Sequence, residues 1–215
     1  MSDYLKQILM LLFGWSMGLF SPIIVDRIHR RYRRRELMQA VVDELSGLQF
    51  IMALVAWKHR VRNAEVTDDF LDRIVLPCAE SYAGPDRDQG WIETLRRSRA
   101  MPENARKALH QSMRMPNQGM FLKQYGLPLI LSQLTDLAIC PLHFQRAVLH
   151  IRYNLDLFNQ SVPLLQSLLE RTFTELSSES RAEIEENLEN GYRETGDRAE
   201  LLVNAIARLK QQRYT

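Results

Sequence analysis

The sequence predicts an all-α protein: a single N-terminal transmembrane helix followed by an elongated, coiled-coil-like helical bundle in the cytosol. Three observations carry that expectation. Residues 7–25, QILMLLFGWSMGLFSPIIV, contain no charged side chain. The next ten, DRIHRRYRRR, contain six arginines. Beyond them, long stretches place apolar residues at alternating spacings of three and four, the signature of helices with one buried face. Sustained apolar–polar alternation between hairpin turns, the mark of a strand, is not found. The organisation expected is an anchor over 1–26, a basic collar over 27–35 and a helical domain over 36–215.

The anchor comes first. Nineteen uncharged residues, rising about 1.5 Å each as helix, match the roughly 30 Å hydrocarbon core of a bilayer. A secretory signal carries its positive charge before the apolar run and a small-residue cleavage site after it, whereas here the basic cluster follows the run. A buried core helix is the other alternative, since Ser16, Ser21 and Pro22 interrupt the run, but six arginines seldom follow a core helix. Within the run, Gly14 and Gly18 are four apart and share a helix face, with Ser21 extending it. Small residues in that pattern let a second backbone approach closely in the membrane. Pro22 is expected to bend the helix near its cytoplasmic end.

The collar sets topology. Arg27, Arg30, Arg31, Arg33, Arg34 and Arg35 are basic flanks of the kind retained on the cytoplasmic side, and they suit anionic lipid head groups. The N-terminus is therefore expected outside and the C-terminus in the cytoplasm, with a bacterial inner membrane as the setting. Charge alone would also suit nucleic acid, but a position beside a span favours lipid, so no nucleic acid is expected.

The cytosolic helices follow in order. Met38, Val41, Leu45, Leu48, Met52 and Val55 form a seam that runs to about Arg62 and continues directly from the span. Thr67 with Asp68 and Asp69 marks a helix start, and Pro77 lies near that helix's end. AGPDRDQG at 83–90 reads as a loop, with short helices expected over 90–100 and 103–114. Residues 120–139 are strongly apolar, yet Lys123, Pro128, Gln133 and Asp136 point to a core helix rather than a second span. The longest seam then runs through Phe144, Val148, Ile151, Leu155, Phe158, Val162, Leu165, Leu169, Thr172 and Leu176 without a miss. Pro163 lies within it. After caps in SSES at 177–180, a last helix carries Ile184, Leu188, Gly191, Thr195, Arg198, Leu202, Ala205 and Leu209. The short connection predicts an antiparallel pair.

Composition bounds the chemistry. The formal net charge of +2 hides three blocks: the collar, a basic middle at 96–114, and nine Glu with one Asp against four Arg over 170–200. The basic middle suits the membrane surface, the acidic helix at 179–200, an acidic partner or a solvated face. Cys78 and Cys140 lack any C-x-x-C partner and are expected as buried small hydrophobes in a reducing compartment. None of the five histidines lies three residues after a Glu, and no phosphate-binding loop or nucleophile elbow is present. His143 and His150 are seven apart and share a helix face, as a metal pair would, but read more simply as polar positions flanking the seam. No catalytic residue, cofactor or metal is expected. The leading expectation is a membrane-tethered interaction, scaffold or sensing protein, self-associating, with an unidentified protein partner. The alternatives are a membrane-perturbing effector that clusters its spans, and an enzyme with a site in the bundle core.

Overall fold

A computed structural model of the chain describes residues 2–63, 65–82, 86–113, 122–174 and 177–212. It is all-helical, 87 % helix, with no strand among the described residues. The elements are α1 (Ser2–Arg62), α2 (Asp68–Phe70), a π-turn (Leu71–Val75), α3 (Leu76–Glu80), α4 (Asp86–Ala100), α5 (Glu103–Met113), α6 (Pro128–Ser132), a 3-10 turn (Asp136–Ile139), α7 (Leu142–Thr172) and α8 (Ser178–Gln211).

One uninterrupted helix, α1, runs for 61 residues, about 90 Å at 1.5 Å per residue. It passes through Pro22 and the collar without a break. One helix near the N-terminus is long and apolar enough to cross a membrane. The stretch that meets this test lies within Ile24–Arg62 and is 56 % buried, as a core helix is. Along α1, full burial begins at Leu37, and Met38, Val41, Leu45, Leu48, Met52 and Val55 are all buried.

Two helices complete the long framework. The α8 helix lies antiparallel against α1: Gln49 Nε2 donates to Val203 O at 3.1 Å, and Lys210 Nζ donates to Gln49 Oε1 at 3.1 Å. Further along α1, Arg60 pairs with Glu200 at 2.7 Å and Arg62 with Glu189 at 2.9 Å. The start of α8 is set by Ser177, whose Oγ accepts from Ser180 N at 3.2 Å. Folded back on α7, α8 brings Gly191 against Leu165 and Gly196 against the His59 ring of α1. A Cβ at either glycine would overlap its neighbour, so the glycyl centre of α8 is a place of close helix approach.

The middle of the chain packs on the second side of α1. Thr67 caps α2, its Oγ1 accepting from Phe70 N at 3.2 Å. The wider π-turn precedes Pro77, whose ring would otherwise crowd the carbonyl four residues back. Residues 86–90 of the loop expected over 83–90 are helical, because α4 already begins at Asp86, and 83–85 lie outside the described residues. Nor do residues 122–139 form a long core helix. They run without regular secondary structure to Leu127, then as α6 and the 3-10 turn, with Leu122, Leu127, Ile130 and Leu137 buried. Pro128 and Pro141 account for this: proline opens α6, disfavours helix in the residue before it, and stands at the entrance of α7. This strap is tied to α7 by Asn159, which donates to Tyr125 O at 2.8 Å and accepts from Tyr125 N at 2.9 Å. It is tied to α1 by Glu44, whose carboxylate accepts from Leu129 N at 2.8 Å and Ile130 N at 3.0 Å, capping α6 from another helix.

Candidate membrane interface

The first half of α1 stands clear of the helical body. Among residues 7–25, Ile8, Leu9, Met10, Leu11, Leu12, Phe13, Trp15, Ile24 and Val25 are exposed. Large apolar side chains in one contiguous run greatly exceed the scattered exposure of an ordinary surface. Gly14 and Gly18 lie on this exposed part, with open space where a Cβ would stand. The side chains at 16, 17, 19–21 and 23 lie outside the described residues, Ser21 among them.

The collar divides in two. Arg27, Arg30, Arg31 and Arg35 are exposed, with Arg30 paired to Asp26 at 2.9 Å one turn back. Arg33 reaches across to Asp136 of the 3-10 turn at 2.8 Å. Arg34 is half-buried, close enough to Cys140 that its charge favours the thiolate there. The collar thus also meets the corner at 136–140, through the Arg33–Asp136 pair and with Arg34 beside Cys140. No sequence spacing signals a pair separated by 103 residues.

Several charges of the other blocks are paired within the chain. Arg106, buried, pairs with Asp68, and Arg99 forks onto Asp72 at 2.7 and 2.9 Å. Arg96 meets Glu80 at 3.6 Å, and Arg97 and Lys107 pair with Glu93 and Glu103 one turn away. The basic middle thus binds the segment at 68–80 and its own helices. Acids of the late helix serve Arg60 and Arg62 instead. Both arginines are also stacked, Arg60 over Phe70 at 4.3 Å and Arg62 over Tyr192 at 5.2 Å.

Of the long seam, Phe144, Val148, Ile151, Leu155, Phe158, Val162 and Leu165 are buried, and Leu169 is half-buried where α7 nears its end. Leu176 lies outside the described residues. The spacing omitted Tyr192, Ala199, Val203 and Ile206, buried because α8 is covered on two sides, by α1 and by α7.

Candidate chemistry is enclosed. Ser98 Oγ lies 3.3 Å from His110 Nε2, and Trp57 stands edge-on to that ring, but all three side chains are buried. Burial first, then the Arg106 charge, holds His110 below the usual histidine range. Burial likewise lowers His59, against the pull of Asp197, Glu65 and Glu189. Burial pushes the Cys78 thiol up to about 11 and raises Cys140, so both are poor nucleophiles. No group of three His, Cys, Asp or Glu suited to a metal is found among the described residues. His143 and His150 are exposed on α7, His150 beside Asn154.

Compared with family models, with curated proteins and with solved structures, the chain matches none.

Proposed function

We propose that this chain is a membrane-tethered interaction protein. In this reading residues 7–25 span the bilayer, the collar lies at its cytoplasmic face, and the helical body holds a scaffold or sensing surface close to the membrane. Copies associate through the small-residue face at Gly14 and Gly18. The observation that carries the reading is the run of exposed large apolar side chains on a helix whose other half is the core of the body. Water is a poor solvent for such a run, and a helix already satisfies its own backbone hydrogen bonds in lipid. The exposed arginines beyond it favour retention on the cytoplasmic side.

The test is partitioning of the full chain. Wild type should remain in the membrane fraction after alkaline wash, with a C-terminal reporter active in the cytoplasm. Leu12→Asp with Phe13→Asp should release it, since each acid near mid-span costs about 3 kcal/mol of insertion. A wild type that stays in the supernatant overturns the reading, as does a reporter active only on the far side.

A further inference from the structure

We infer that the corner between the 3-10 turn and α7 is a second membrane contact, placing Ile139 and Leu142 in the lipid head-group layer. This rests on the proposal that residues 7–25 span the bilayer.

Distance along α1 is the first argument. Arg33 lies eight residues beyond Val25, about 12 Å of continuous helix. The head-group layer is about 5–8 Å deep on each side. Helical side chains lean back toward the N-terminus, which brings the Arg33 guanidinium nearer the lipid than its Cα. Asp136 lies 2.8 Å from that guanidinium, so the 3-10 turn stands at the outer edge of the head groups. Tilt of the span toward this side lowers it further.

The second argument is what the corner presents. Ile139 is 37 % exposed and Leu142 59 %, with Ala138 exposed between them and Asp136. Exposed His143 and Arg146 follow, Arg146 one turn beyond Leu142 on the same face, and the first turn of α7 contains no acid. An apolar tip backed by a cation is the pattern of a surface that dips its hydrocarbon below the phosphates and leaves its charge among them. Other exposed apolar side chains lie too far out: Leu131 follows Ile130, whose N–H is held by Glu44, about 16 Å further along α1 than Arg33. A second contact would fix the tilt of the body, which one span alone leaves free.

The experiment uses nitroxide-labelled variants of the full chain in vesicles of phosphatidylcholine and phosphatidylglycerol. Leu12→Cys, Leu142→Cys and Leu201→Cys place one label each in the span, at the corner and on α8. All three positions are exposed, and native Cys78 and Cys140 are buried, so unsubstituted protein supplies the background. Leu201 neighbours Glu200, paired to Arg60, about 40 Å beyond Arg33 along α1. Collision with oxygen, which concentrates in lipid, is compared with collision with a water-soluble nickel chelate. The oxygen-to-nickel ratio should be highest at 12, several-fold above the Leu201 value at 142, and water-like at 201. A ratio at 142 equal to that at 201, with 12 lipid-like, overturns the corner contact and leaves the span standing. A water-like ratio at 12 overturns both.

Discussion

Gly196 shows how much a single position decides. It lies where α8 meets the His59 ring, and a methyl group there would overlap ring atoms rather than the tip of a flexible chain. Gly196→Ala should therefore destabilise the fold by about 1–3 kcal/mol, read as a lower urea midpoint. At Gly191 the overlapping group is the end of Leu165, which can turn aside, so Gly191→Ala should cost less. Phe158→Ala and Leu155→Ala each empty a fully buried site on α7 and should cost about 2–5 kcal/mol by the same measurement. The two buried histidines add a pH dependence. Burial holds His59 and His110 below the usual histidine range, so as pH falls the folded chain keeps them neutral longer while the unfolded chain takes up protons. Their contribution is present above about pH 6.5 and is lost as pH falls below it through the lowered folded values. His59→Gln with His110→Gln should flatten the fall in urea midpoint between about pH 7 and pH 5. Spacing marked Leu155 and Phe158 because a heptad position is a local property. Neither spacing nor composition marked His59, because its burial comes from a glycine 137 positions away in the chain.

At the scale of elements, the strap at 122–139 departs furthest from its pattern. An apolar count favoured one helix there. Two prolines and a tertiary cap made it an irregular run, a short helix and a 3-10 turn. Glu44 is the decisive partner, satisfying two N–H groups at the start of α6. Glu44→Ala should cost about 1–2 kcal/mol, and Glu44→Gln less, because one acceptor oxygen survives. Hydrogen exchange should rise first at the amides of Leu129 and Ile130, with α7 and α8 keeping their protection. The long helices were legible because their faces repeat over many turns, whereas the pairing of the basic middle with Asp68 and Asp72 was not. Opposite charges on separate elements find one another only once the chain folds, and no periodicity encodes that.

For the whole molecule, the body and the projecting half of α1 are separable by burial. Full burial begins at Leu37, so a fragment of residues 36–215 keeps the α1 core face, α7 and α8 together. It should be monodisperse without detergent and mostly helical by circular dichroism. A collapsed or aggregated fragment would show that the body needs the N-terminal half of α1 to fold. The all-helical class was visible in the sequence. The order of packing was not: α8 lies between α1 and α7, and the strap joins the outer two.

The unbroken course of α1 also makes it a compass. At about 100° per residue, Gly14 and Gly18 point within about 40° of one another. Met38, Val41 and Leu45, which face the body, point about 140–200° away from Gly18. Five of the six arginines fall outside an arc of about 60° on either side of Gly18 and Arg33 lies at its edge, while exposed Val25, Tyr32, Glu36 and Asp43 fall inside it. Two copies joined at the glycines would thus stand back to back, with their bodies facing outward and most of their arginines turned away from the shared seam. A cysteine at Tyr32 should then bridge the two copies on oxidation and one at Arg34 should not. The outward sides of both bodies would then stay uncovered by the second copy.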